Sequence, residues 1–209
     1  MKRLLPLVLS CVLSSPVIAG PFETALDLLS QGQSSKAVAQ FQTAANMGHG
    51  EAQFNLSVMF AKGDGVLQDD QAALLWAWRA RFSGIKRSVT LVDYLNTRLP
   101  TDMNDTIGAK LELAYSELFF QADPKAALAM GRIHNEVYPE RNIEMAYKWF
   151  TIAAALDVKY AKAFREAVAF ELDTTQRSNV QTQARATLGL WCETHSEQHE
   201  ICTILQAQL

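Results

Sequence analysis

The chain repeats itself, and the period of that repeat limits the fold more than any other feature. AVAQFQTAANMG, residues 37–48, lies over ALLWAWRARFSG, residues 73–84, at an offset of 36 that pairs Ala37 with Ala73, Ala44 with Ala80 and Gly48 with Gly84. A longer match at an offset of 73 pairs Ala73 with Ala146, Trp76 with Trp149, Ala80 with Ala153, Lys86 with Lys159, Leu99 with Leu172 and Thr101 with Thr174, with no gap from Asp69 to Tyr115. Upstream, Leu56-Ser57 over Met130-Gly131 needs an offset of 74, so one residue has been lost in the loop that reads GDGVLQDD in the first copy. Indels belong in loops, which supports the alignment. Periods in this range are those of stacked helix hairpins, units that bury their apolar faces only against their neighbours.

Local pattern agrees with the period. Apolar residues recur at three and four positions in Phe22, Ala25, Leu28, Leu29 and again in Ala37, Phe41, Ala44, Ala45, and the Val/Ile/Thr alternation of strands is missing. The expected fold is all-α: an α-solenoid of short, Ala-rich helix-turn-helix hairpins. Extra helix pairs are expected at Lys86–Arg98 with Asp102–Gln121 and at Lys159–Glu171 with Thr174–Trp191, joined by LPTD and LDTT as turn and cap.

With 49% hydrophobic and 20% charged residues, the 209-residue chain has ample material for a core. Its first stretch, MKRLLPLVLSCVLSSPVIAG, has the basic start, apolar run and small-residue ending of a cleavable secretory signal, with the cut expected after Ala19. Cys11 behind Val8-Leu9-Ser10 offers lipid attachment as the alternative. No later run is long and apolar enough to span a membrane, so no membrane insertion is expected after cleavage. Losing Lys2 and Arg3 makes the balance more acidic than the whole chain's −3, which argues against a nucleic-acid or anionic-membrane surface. The expected location is periplasmic or secreted, and the expected oligomeric state is a monomer.

EAQFNLSVMFAKGDGVLQDDQAALLWAWRARFSG resembles a Sel1-like repeat, a relative of the TPR hairpin. Ala52, Leu56, Phe60, Gly63, Gly65, Val66, Asp69, Ala73, Trp76, Ala80 and Gly84 fit that pattern, with Ser57 standing in for Gly. The second copy, AALAMGRIHNEVYPERNIEMAYKWFTIAAALD, keeps Gly131, Ala146, Trp149 and Ala153. It replaces the glycine loop by Val137-Tyr138-Pro139-Glu140 and the closing Gly by Asp157. The resemblance implies hairpins wound into a right-handed superhelix that binds a protein or peptide. The chain then divides into a signal peptide (1–19), a degenerate N-terminal repeat (20–48), a repeat with its helix pair (49–122), a second such unit (123–193) and a C-terminal helix (194–209).

Physical roles follow for the pattern residues. Gly63 and Gly65 permit positive φ in the turn, Asp69 and Asn142 cap the second helix of each hairpin, and Trp76 and Trp149 fill the seam between helices. In such arrays the first helix of each hairpin lines a concave surface. Removing the packing residues leaves Glu51, Phe54, Val58 and Lys62 in the first copy and Lys125, Leu128, Arg132, Asn135 and Glu136 in the second as candidate partner-binding residues.

Catalytic patterns are scarce. No serine has the G-x-S-x-G context, and neither H-E-x-x-H nor a phosphate-cradling glycine loop occurs. His49 sits in a Gly-His-Gly turn, and His134 takes the aromatic position of Phe60. No cofactor is implied. The function expected is a scaffold or adaptor in the cell envelope. The alternatives are an enzyme of the cysteine-rich, β-lactamase-like Sel1 type and a structural accessory of an envelope machine such as the flagellar motor.

The segment CETHSEQHEIC leaves three readings open. In an exported chain, the favoured one is a disulfide between Cys192 and Cys202, with free thiols or a zinc site of Cys192, His195, His199 and Cys202 as alternatives. Either bond needs a break in the helix, because an unbroken ten-residue helical gap separates the cysteines by about 15 Å. A capping box from Thr194 to Glu197, or a cap at Ser196, would supply the break.

Overall fold

The computed structural model describes residues 19–195 and 199–207. The expected leader, Ala19 apart, lies outside the described residues, as do Ser196 and Glu197. Among the described residues the regular structure is helical, running α1 (Pro21–Ser30), α2 (Ser34–Asn46), α3 (Gly50–Lys62), α4 (Asp70–Phe82), α5 (Arg87–Asn96), α6 (Met103–Phe120), α7 (Lys125–Arg132), α8 (Ile143–Ala155), α9 (Ala161–Ala169), α10 (Thr174–His195) and α11 (Glu200–Gln206). A π-helical turn, Ile133–Val137, extends α7. Helices pack as hairpins: α1 with α2, α3 with α4, α7 with α8, while α6 lies against both α4 and α7 and so joins the two repeats.

Repeat positions are the buried ones. Ala37, Ala73 and Ala146, and likewise Ala44, Ala80 and Ala153, are buried, so helix backbones approach closely at each. Both tryptophans of the pattern are core: Trp76 is 7% exposed and Trp149 6%. Trp149 meets Phe119 of α6 edge-on, with ring centroids 5.3 Å apart. The two copies fill one seam differently. In the second, a Cβ on Gly131 would lie 2.4 Å from the Phe150 ring, whereas the first copy places Ser57 and Ala77 at the corresponding positions. Ser57, fully buried, donates to the Ala73 carbonyl at 2.6 Å.

The turns explain the lost residue. Gly63 ends α3 in the left-handed region (φ 71°), and Gly65 (φ 72°) passes so close to α2 that a Cβ there would lie 2.4 Å from the Ser34 carbonyl carbon. Asp69 then caps α4 by accepting from the amides of Gln71 and Ala72, both at 2.9 Å. The second copy has no such glycine, and the helix runs on into the π turn, whose wider ring delivers Tyr138 to Gly108 of α6. There a Cβ on Gly108 would come within 2.5 Å of the Tyr138 ring. Asn142 caps α8 by accepting from Met145 at 3.0 Å.

The C-terminal boundary differs from expectation. α10 continues through Thr194, whose hydroxyl donates back to the Trp191 carbonyl at 3.1 Å, so Thr194 is a residue inside the helix. His199, in extended conformation, is the N-cap of α11. The expected LDTT cap is present one residue earlier than the threonines: Asp173 accepts from the Gln176 amide and Gln176 from the Asp173 amide, a reciprocal capping box.

Candidate functional site

A groove of about 730 Å³ opens between the repeats. Its floor and walls come from the α2–α3 turn (Met47, Gly48), the end of α4 (Arg79, Phe82), α6 (Tyr115, Leu118), α7 (Lys125, Leu128, Arg132) and the α8–α9 turn (Asp157, Lys159). The α8–α9 turn can face it because Asp157, standing where the first copy has Gly84, takes positive φ (53°) without a glycine.

Three expected contact residues, Lys125, Leu128 and Arg132, line this groove. Glu136 stands behind Arg132 and accepts from it at 2.7 and 2.9 Å, and it also takes an ion pair from Arg81 of the first repeat at 2.9 Å. Burial alone would push the Glu136 carboxyl up, but the hydrogen bonds and charges of Arg132 and Arg81 outweigh it and hold the group below its ordinary value. The trio therefore pins the second repeat to the first and orients Arg132, whose guanidinium lies 4.8 Å from the Phe82 ring centroid.

The other expected residues are placed elsewhere. Glu51 pairs with Arg87 of the helix that follows its hairpin, and the Arg87 guanidinium covers the Phe54 ring at 4.4 Å. Asn135 accepts from Arg141 at 2.7 Å. Val58 is half-buried and Lys62 exposed. None of these five lines the groove. The added helix α5 packs on α4 and brings Arg87 to Glu51 and Phe54, so these two residues meet α5 rather than the groove.

Arg79, Phe82 and Tyr115 enter the groove without having been singled out from sequence. A signal was there: at the offset of 73, Arg79 corresponds to Ile152, a charge in one copy where the other has a core aliphatic. The Arg79 guanidinium lies 4.5 Å from the Trp76 ring centroid, and its Nε is buried with no hydrogen-bond partner. Beside it, burial pushes the Tyr115 phenol up, against the opposing pull of the Arg79 charge. The serine of the groove, Ser83, donates to the Gln53 side chain at 2.8 Å.

The histidines have structural surroundings. His49 Nδ1 accepts from the Ala52 amide at 3.2 Å and caps α3, and its ring stacks on Phe22 at 4.2 Å. His134 is buried in the π turn, stacked on Tyr138, with Nε2 3.5 Å from Glu112 Oε1. Burial lowers its pKa, against the opposing pull of Glu112. His195 and His199 lie at 4.6 and 5.2 Å from the Trp191 ring. Cys192 and Cys202 are joined by a disulfide with Cα atoms 5.3 Å apart, which consumes both thiols that the zinc alternative requires. Among the described residues no group of three or more His, Cys, Asp or Glu is placed to hold a metal ion, and no helix is long and apolar enough to cross a membrane.

Comparison with known proteins returns to the repeat. No curated protein sequence matches the chain. Among solved structures, the chain is similar to a protective antigen present in uropathogenic Escherichia coli strains, described as displaying an SLR fold, at 16% identity and a TM-score of 0.38. The match takes in 90% of this chain but 48% of the antigen, so the chain spans about half that protein's length. The family model of the Sel1 repeat matches residues 50–80 and 124–158, the α3–α4 and α7–α8 hairpins. Such repeats generally serve as protein–protein interaction scaffolds. The two family matches coincide with the two hairpins, and the chain contains two Sel1 repeats.

Proposed function

We propose that the chain is an exported scaffold that holds another protein in the groove between its two Sel1 repeats. The observation that carries this reading is the groove itself, in which aromatic and aliphatic side chains from both repeats alternate with cations. Large apolar contact area next to charged groups is the chemistry of a recognition surface. The scaffold reading is preferred to an enzyme because the groove's serine hydroxyl, Ser83, is given to an amide oxygen rather than to a base. Export rests on the signal-like stretch from Lys2 to Ala19.

Two exposed apolar residues provide the test. Met47 lines the groove and is 76% exposed, while Leu67 is 88% exposed and outside it. A photo-crosslinking side chain at Met47, in cells producing the protein at native level, is expected to give a discrete adduct that the same side chain at Leu67 does not. Equal adducts at both, or none at Met47, would remove the groove from the proposal. Export is checked separately by intact mass: a chain beginning at Gly20 is expected, and a lipid-modified chain beginning at Cys11 would overturn the cleavage site.

A further inference from the structure

We infer that the occupant of the groove is a short acidic peptide segment whose carboxylate seats against Arg79, with an aliphatic neighbour on Phe82 and Leu128; the inference rests on the scaffold reading above.

Charge is the first argument. The chain as a whole carries a net charge of −3, yet Arg79, Lys125, Arg132 and Lys159 line the groove against only Asp123 and Asp157. Asp123 is already engaged, accepting from the Lys125 amide at 3.0 Å at the start of α7. Arg132 is engaged as well, held by Glu136.

Arg79 is the second argument. Its Nε has no hydrogen-bond partner, and the group it meets in the groove, the Tyr115 phenol, hydrogen-bonds the guanidinium without neutralising its charge. A buried donor left unmade is costly, and a guanidinium offers two parallel N–H groups to a planar carboxylate. A carboxylate brought by a partner would complete Arg79, and Lys125 and Lys159, exposed along the same groove, would draw it in. Phe82, Leu118, Leu128 and Val158 supply apolar surface beside that point, and a cavity of about 730 Å³ takes a short segment rather than a folded domain.

The test is selection of random linear peptides displayed on phage against the purified chain, followed by titration of the enriched peptides by fluorescence anisotropy. Enriched sequences are expected to place Asp or Glu beside an aliphatic residue. Their affinity is expected to fall by about tenfold or more in Arg79→Gln and to weaken with added salt. Because Arg79 also packs on Trp76, the double variant Lys125→Gln/Lys159→Gln, which alters only exposed positions, repeats the measurement on a chain whose core is untouched. Its affinity is expected to fall as well. Enriched peptides without acidic residues, or acidic peptides bound equally by both variants, would overturn the inference. If neutral peptides bind and are displaced by bulky substitution at Met47, the scaffold reading stands without the acidic partner. If no peptide is enriched, both fall.

Discussion

The Asn142 amide donates to the His134 carbonyl at 3.0 Å, and the bond has a counterpart in the other repeat, where the Asp69 amide donates to the Phe60 carbonyl at 3.0 Å. The two loops differ by one residue and share no glycine, yet close on the same bond. What the repeat preserves is the entry of its second helix, fixed by this contact and by the cap that follows it. Asn142→Ala and Asp69→Ala should each cost about 1 kcal/mol. The two caps lie in different hairpins, so the costs should add in the double variant. Urea unfolding followed by circular dichroism measures both, and a clear departure from additivity would mean that the loops are coupled.

Gly131 and Phe150 form one packing unit. Gly131→Ala puts a methyl group 2.4 Å from the ring and should destabilise by about 1–3 kcal/mol. In a Phe150→Ala background the first copy's small-against-small pairing is restored, and the same change should cost much less, a coupling of about 0.5–3 kcal/mol. Equal costs in both backgrounds would show that the helices separate to admit the methyl group.

Trp149 tests the seam more severely. It is 6% exposed, and Trp149→Ala should destabilise by about 3–5 kcal/mol through the cavity it leaves against Phe119. An unchanged melting temperature would place the residue outside the core.

How far the sequence disclosed this molecule depends on whether a feature repeats. Ala73 with Ala146 and Trp76 with Trp149 carry the same local physics twice, so periodicity exposed the hairpins and the added helix pairs, and the Sel1-like pattern pointed to the caps at Asp69 and Asn142. The groove arises where the copies differ. Arg79 stands over Ile152, and Tyr138 replaces a glycine loop to pack on Gly108. Such contacts are set by how α6 lies across both repeats, a relationship between distant segments that spacing does not encode. Glu51 and Phe54 lie away from the groove, where Arg87 reaches them from α5. At the C-terminus, a break was expected near Thr194 to Ser196, and α10 does stop at His195, but Thr194 spends its hydroxyl within α10 and the cap of α11 is His199.

His134 should make stability pH-dependent. Burial lowers its pKa below the ordinary 6.5, outweighing the attraction of Glu112, and the Lys148 charge lowers it further. The unfolded chain therefore takes up a proton that the folded chain resists. The contribution is complete above the ordinary value and is lost as the pH falls below it toward the folded value. The urea midpoint should drop as the pH falls below the ordinary histidine value, and His134→Gln should flatten that drop. Glu136, held low, acts in a separate and more acidic window, with its contribution lost as the pH falls through its folded value. Parallel profiles for wild type and His134→Gln would assign the acid response to other groups.

The disulfide closes the array at one end. Trp191 is fully buried, donates its indole N–H to the Phe119 carbonyl at 2.7 Å and stacks on the Phe119 ring, so the end of α10 is anchored to α6 without help from sulfur. Cys202 ties α11 covalently to that anchored end, and Ile201 and Leu205 pack beside it on the core. Closing so short a loop should contribute about 2–3 kcal/mol. In a solenoid, where stability is nearly a sum of neighbouring terms, the contribution stays local. Non-reducing peptide mapping should find Cys192 joined to Cys202. Reduction, or Cys202→Ser, should speed hydrogen exchange in α11 while α3, α4, α7 and α8 exchange as before. Loss of protection throughout would mean that the C-terminal staple supports the whole array. Stoichiometric zinc with two thiols titratable only after chelation, in protein taken from its native compartment, would replace the bridge by a Cys192, His195, His199 and Cys202 site.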